Sequence, residues 1–373
     1  MPDASDTQPL DRFPAEALRA QVMVVLRAWG FAKDHAEPSA QVMVEADLNG
    51  IDSHGIAMLL YYEGLVQAGA LNPVPRMTLA RESPATALLD ADRGLGHGVS
   101  LRAMDLACDK AASVGVGAVA VRRSDHFGAA GVYAARAAAR GMVSLITSNG
   151  FTRCVVPAGG ARPMFSTNPI AFGAPARANP AMMFDIATST ASIGKVNLAW
   201  LAGKTIPPGW VVDGAGRPVT DPARARVIIY ETGEGGLTAL GGTPEMSAHK
   251  GYGICTMVEV LSALLTGASA APLQTGREPG PGGTDTGHFF LALNPDAFRP
   301  LAEFHAEMDR LIDTLRATPP ADPGQPVLAP GDIEWRTRAD RQGAGIPLSP
   351  RLREELRALC HRAGADFLLG GPD

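Results

Sequence analysis

Leu18, Val22, Val25 and Leu26 recur at helical spacing and stop at Gly30, and Pro14 suits a first turn, so the chain opens with an amphipathic helix. A second helix is expected over 39–48, ended by Asn49-Gly50, and a polar turn follows at Asp52-Ser53-His54-Gly55. A third runs through Leu59, Leu60, Tyr62 and Leu65 to about Gly69, and Pro73 and Pro75 mark a boundary. From about residue 85 the pattern changes. Helices are expected over 98–113 and 129–140, with apolar runs of strand length at 116–121 and 142–147. Further strands are expected at 169–174, 182–187 and 288–293, and helices at 252–265, 298–315 and 351–362. Residues 202–222 form a Gly-, Pro- and Asp-rich excursion, and 319–330 an extended connector. Strand–helix–strand order means an α/β protein with a central sheet and flanking helices. Two parts are expected: a helical segment over 1–83, joined by 331–373, and an α/β core over 84–330 that carries the cofactor-binding and substrate regions.

Composition narrows the function. The 42 Gly and 30 Pro fall between periodic segments, so they mark loops rather than a repeat. A net charge of −5 without a basic stripe argues against nucleic acid. The apolar runs are too short for a bilayer, and the polar N-terminus lacks a secretory pattern. Cys108, Cys154, Cys255 and Cys360 are far apart, which fits a reducing cytoplasm rather than a disulfide or zinc-thiolate framework.

The usual nucleotide signatures are missing. Gly94-Leu95-Gly96-His97-Gly98 lacks the last spaced glycine and a strand before it, so it is no Rossmann fingerprint. A phosphate loop, HExxH and GxSxG are also absent. Any dinucleotide site is therefore built another way.

Three histidine turns carry the candidate chemistry. In Asp52-Ser53-His54-Gly55, one reading is a helix cap with an exposed histidine. The other is a proton donor, His54, oriented by Ser53, because histidine titrates near neutrality. Ser124-Asp125-His126-Phe127-Gly128 joins a strand end to a helix, where ligands gather in α/β folds; the amides at Ala129 and Ala130 can receive an anion, or the turn is a plain cap. His249-Lys250-Gly251-Tyr252-Gly253 opens another helix; Lys250 can meet a phosphate or simply be solvated. Asp185, an acid in an apolar strand, needs a partner: a histidine, or backbone amides at the strand end.

Seven short motifs in order resemble the malate/L-lactate dehydrogenase family of the non-Rossmann type. They are Asp52-Ser53-His54-Gly55-Ile56; Ser124-Asp125-His126-Phe127-Gly128; Pro157-Ala158-Gly159-Gly160; Thr167-Asn168-Pro169-Ile170; Phe184-Asp185-Ile186-Ala187-Thr188-Ser189; His249-Lys250-Gly251-Tyr252-Gly253; and Pro330-Gly331-Asp332. The family includes sulfolactate and ureidoglycolate dehydrogenases and Δ1-piperideine-2-carboxylate reductases. The resemblance covers about residues 14–362. It implies a sulfolactate-dehydrogenase-like fold, a homodimer, and NAD or NADP as cofactor. The activity it implies is hydride transfer between nicotinamide and a small 2-oxo or 2-hydroxy acid, or reduction of a cyclic imino acid. It also implies a relay of Ser53, His54 and Asp185, with His54 or His126 as acid/base. Cofactor contacts would fall on His126, Phe127, Gly128, Ala129 and Ala130; on Pro175, Ala176 and Arg177; on His249 and Lys250; and on Pro330, Gly331, Asp332 and Arg336. Met58 and Phe184 would face substrate.

One position departs from the family. Its motif Ser-His-Gly-x-x-Arg places a guanidinium on the substrate carboxylate, and this chain has Met58 there. Losing such a contact costs on the order of 2–5 kcal/mol unless another group replaces it. Arg123, Arg153 and Arg162 are the candidate replacements. Two further readings stay open: a dinucleotide-binding protein without catalysis, against which Ser53, His54 and Asp185 speak, and a metal enzyme, for which no ligand spacing is recognisable.

Overall fold

The computed structural model describes residues 10–150, 152–273 and 285–370. Its central element is a seven-stranded mixed sheet. In spatial order the strands are Thr78–Glu82, Thr86–Asp90, Val116–Ser124, Thr286–Leu293, Val143–Ser148, Ile170–Ala174 and Met182–Ile186. Only Thr86–Asp90 and Val116–Ser124 pair in parallel. The late strand Thr286–Leu293 inserts antiparallel between Val116–Ser124 and Val143–Ser148.

Helices Gly96–Val114 and Ala130–Ala139 pack on this sheet, and small residues set how closely. A Cβ on Gly117 would lie 1.9 Å from the Ala107 carbonyl oxygen, and one on Gly173 2.7 Å from that of Ala134. Backbone therefore meets backbone. Val119, Val121, Ile146, Tyr133 and Phe290 fill the remaining space and are fully buried. Each such side chain contributes roughly 1.5–3 kcal/mol.

The segment 84–330 holds a second, smaller sheet with its own core. Pro218–Val219, Val211–Asp213, Gly235–Thr238 and Val155–Val156 lie side by side over Val196, Ile206, Ala225 and Cys255. Residues 202–222, read as a loop excursion, thus contain a two-strand ribbon.

The first and last described strands meet. Asp11–Phe13 pairs antiparallel with Ile346–Leu348, and helices Ala15–Ala28, Lys33–Leu48 and Pro350–Ala363 share one apolar cluster. Helix Lys33–Leu48 begins before the expected Ser39 and carries Pro38 inside it. Proline forfeits one intrahelical bond, and burial of Ala36, Ala40, Val42 and Met43 offsets that loss. Among the described residues no helix is long and apolar enough to cross a membrane.

Candidate active site

The turn that bears His54 is held from two sides. Asp47, at the end of helix Lys33–Leu48, reaches under it and accepts the Ile56 amide at 2.8 Å. Burial pushes this carboxyl up to about 8. From the other side Arg341, on helix Asp332–Ala344, binds both carboxylate oxygens of Asp52 and the Asp47 carbonyl. Ser53 Oγ is 2.9 Å from His54 Nδ1.

His126 follows the end of strand Val116–Ser124, and its amide donates to Asp125 Oδ1 at 2.7 Å. The strand end thereby delivers its ring beside that of His54, with stacked centroids 5.4 Å apart. Behind them Phe127 stacks flat on His288, 4.5 Å between centroids. His288 itself is fixed between Ser148 Oγ at 2.8 Å and Ser124 Oγ at 2.9 Å. Tyr62, buried on helix Leu59–Gln67, places its hydroxyl 2.8 Å from His126 Nδ1 and 3.2 Å from His97 Nε2. The Gly128 amide donates to the same Nδ1 at 3.3 Å. Burial lowers the pKa of His54, and more strongly that of His126; it takes His97 and His288 down to about 3.

His54, His126 and Phe127 wall a cavity of about 510 Å³, inside the range of ~300–1,000 Å³ usual for small-molecule and cofactor sites. It gathers His54, His126, Phe127, Gly128, Ala129, Ala130 and Asp185 from the sequence-derived set. Tyr61, Leu65, Thr152, Ser166, Thr167 and Glu334 complete much of the wall. A flat aromatic surface beside hydroxyls and backbone amides suits a nicotinamide ring with its carboxamide. Among the described lining residues there are three carboxylates, on Asp125, Asp185 and Glu334, and no Lys or Arg.

Several expectations are corrected. Asp185 does not hold a histidine: its Oδ2 accepts the Gly131 amide at 2.7 Å, so it caps helix Ala130–Ala139. Burial raises its pKa to about 6. That amide, at the helix start expected to receive a ligand anion, is therefore taken by the chain's own carboxylate. Phe184 does not line the cavity. Successive strand residues point to opposite faces, and with Asp185 turned inward Phe184 stacks on Phe172 across the neighbouring strand. Met58 also lies outside the wall, packed against the N-terminal apolar cluster. Among the described residues no cluster of three His, Cys, Asp or Glu could hold a metal.

The other expected cofactor segments lie along the sheet edge or beyond it. The loop containing Pro175, Ala176 and Arg177 presents the amides of Arg177, Ala178 and Asn179 to Asp309. Arg316 then bridges Asn179 to Asp332, which also accepts the Ala329 amide. Asp332 is thus committed to the fold, and Gly331, with φ 99°, lies against Met183, whose amide donates to Pro330 O at 3.2 Å. Arg336 is exposed one turn further along. His249 and Lys250 are exposed at the start of helix Ala248–Glu259, outside this cavity. Of the three arginines, Arg123 is bound to Asp90 and Asp92. Arg153 and Arg162 are exposed, and Arg153 adjoins the cavity residue Thr152.

Tyr62 and Glu334 escaped the sequence reading, and His97 and His288 were given no role in this site. Tyr62 looked like one more apolar position of its helix, and His288 like a strand residue. His97 offered one signal, a histidine among glycines at a helix start.

Comparisons with known proteins identify the family and the fold. A family model described as malate/L-lactate dehydrogenase matches residues 13–357. A malate dehydrogenase of Pyrococcus abyssi is 35% identical over 359 residues, covering 96% of each chain. The sulfolactate dehydrogenase structure from Methanocaldococcus jannaschii superposes with a TM-score of 0.84 at 34% identity, covering 96% of this chain and 98% of that one. The Δ1-piperideine-2-carboxylate reductase structure from Pseudomonas syringae pvar. tomato gives 0.81 at 28% identity, covering 94% and 99%. The chain has their non-Rossmann α/β fold; it is an oxidoreductase and belongs to the malate/L-lactate dehydrogenase family.

Proposed function

We propose that the chain catalyses reversible hydride transfer between a nicotinamide dinucleotide and a small 2-oxo acid, giving the 2-hydroxy acid. The observation that carries this reading is the stacked pair His54 and His126 on one wall of a cavity of cofactor-site size. When bound, the nicotinamide supplies or accepts the hydride. The backbone of Gly128 to Ala130 and the hydroxyls of Ser166 and Thr167 would hold its ring. The segments 175–177 and 330–336, joined through Asn179, Arg316 and Asp332, would hold the far half. As the carbonyl carbon gains the hydride, its oxygen takes the proton of the His54 imidazolium, leaving neutral His54. Ser53, exposed and bonded to His54 Nδ1, links that ring to solvent.

The acidic wall favours a second reading. A protonated C=N carries positive charge, which Asp125, Asp185 and Glu334 would stabilise, so a cyclic imino acid is the alternative acceptor. For the substrate carboxylate we favour Arg153, which adjoins the wall residue Thr152.

A homodimer is proposed on the apolar face of Ile254 and Met257, exposed on helix Ala248–Glu259, and of Val260, Leu264 and Leu265, exposed on the turns that continue it. Four buried, unpaired cysteines suit the cytoplasm. The deciding experiment follows nicotinamide absorbance with NADH and NADPH on 2-oxo acids, cyclic imines and carboxylate-free ketones. Turnover of an acid or an imine supports the respective reading. Cofactor binding without turnover of any of them rejects both.

A further inference from the structure

Two buried groups beside the cavity have no part in the chemistry so far: Tyr62 and His97. Their geometry determines the state of His126. The Gly128 amide can only donate, and it points at His126 Nδ1. That nitrogen therefore carries a lone pair, and the neutral ring has its proton on Nε2. Tyr62 has one hydroxyl hydrogen for two imidazoles. With Nδ1 of His126 accepting at 2.8 Å, the Tyr62 oxygen accepts in turn from His97 Nε2–H at 3.2 Å. This leaves His97 Nδ1 as a bare acceptor, and Nδ1 is the buried His97 atom with no partner among the described residues. The order is consistent, because a buried orphan acceptor is tolerated better than an orphan N–H. Gly128 makes the arrangement possible. With φ 79°, a Cβ there would sit 3.0 Å from His97 Nε2 and 2.9 Å from Val42.

We propose that Tyr62 and His97 are positioning residues that lock His126 as the Nε2–H tautomer. His126 then serves as a neutral hydrogen-bond donor to the substrate heteroatom, and proton exchange is left to His54. The catalytic half of this statement rests on the function proposed above; the tautomer does not. Protonating Nδ1 would set a hydrogen against the Gly128 N–H and force Tyr62 to turn its own hydrogen away. Geometry thus opposes the imidazolium independently of burial. A neutral donor polarises the carbonyl and gains strength as charge grows on its oxygen, so it acts chiefly in the transition state. The ionisable groups around His126, besides Tyr62, are His54, Tyr61, His97, Asp125 and His288.

The test is nitrogen-15 NMR of the histidine side chains in the full-length protein, assigned with a His126→Gln variant, alongside kinetics. In the wild type, His126 is expected to show an unprotonated Nδ1 and a protonated Nε2, unchanged on titration through the neutral range. Tyr62→Phe keeps the buried ring and removes the hydrogen bonds. It should make His126 titratable, add a limb to the pH–rate profile, and lower kcat by about 10- to 100-fold, the scale seen when the partner orienting a metal-bound histidine is lost, with less change in KM. His97→Gln retains an N–H donor and should keep the wild-type tautomer, whereas His97→Leu should not. A His126 protonated on Nδ1 or titrating near neutrality in the wild type overturns the proposal, as does a Tyr62→Phe protein with unchanged spectra and pH profile. If no substrate turns over, the spectra still decide the tautomer, so its failure is separable from that of the function.

Discussion

The Asp47 carboxylate lies so close beneath Gly55 that a Cβ there would stand 1.6 Å from its Oδ1. The glycine after His54 is therefore required by the acid on the preceding helix rather than by a left-handed backbone. Gly55→Ala must push the turn off Asp47. Overpacking of this kind costs about 1–3 kcal/mol, and a displaced His54 should lower kcat by more than the melting point suggests. Paired thermal melts and kcat values check this; an alanine variant with wild-type turnover would refute it.

Asp47 also makes stability depend on pH. Its pKa is about 8 in the fold against an ordinary 3.8. The fold favours the neutral form, so the contribution is fully present below the unfolded value and is lost as pH rises through about 8. The wild type should lose on the order of a few kcal/mol across that window through this group. Asp47→Asn should flatten the decline and raise the melting temperature at alkaline pH. Melting curves of both proteins from acid to alkaline pH give the comparison.

His54 predicts opposite pH limbs in the two directions. Burial holds its pKa below the ordinary 6.5. kcat/KM for reduction, which needs the imidazolium, should fall as pH rises through that lowered value. kcat/KM for oxidation, which needs the neutral ring, should rise through it. His54→Asn should abolish both limbs and lower kcat roughly 10²–10⁴-fold. Limbs that persist in this variant would assign the proton to another group.

Arg153, next to the wall residue Thr152, is the proposed substitute for the guanidinium absent at Met58. Arg153→Met should raise KM for a 2-oxo acid about tenfold or more, matching a charged hydrogen bond of roughly 1.5–3 kcal/mol. KM for the methyl ester of the same acid should stay unchanged. Equal effects on acid and ester would show that Arg153 does not read the carboxylate.

The amphipathic helices and buried strands were legible because one face of each is apolar. Helix Ala15–Ala28 and strand Val143–Ser148 show that pattern in their burial. Strand Thr78–Glu82 is exposed along its whole length, and helix Asp332–Ala344 buries only Asp332. Neither has a stripe to read. The turns at His54 and His126 stood out by composition, and the structure stacks the two rings. The partner of Asp185 stayed open between a histidine and backbone amides because a strand pattern does not show which helix start lies opposite; the structure gives the amide. Met58 stood out only against the family motif, and sequence could not tell that its side chain packs away from the cavity. Tyr62 was hidden because a tyrosine that bonds two histidines has the same periodic place as one that fills a core.

The clasp between Arg341 and Asp52 has a consequence for synthesis. These residues are 289 positions apart, and the strand that joins the chain ends closes a similar distance, as the 328-position pair Arg12 and Asp340 shows. Contacts of such separation form late, because a long loop must close first. On a ribosome the His54 turn emerges long before Arg341 and must wait for it before its clasp exists. A nascent chain halted before Arg341 would carry both histidines without the brace that aims the first of them, so competence should arrive only after Arg341 has emerged.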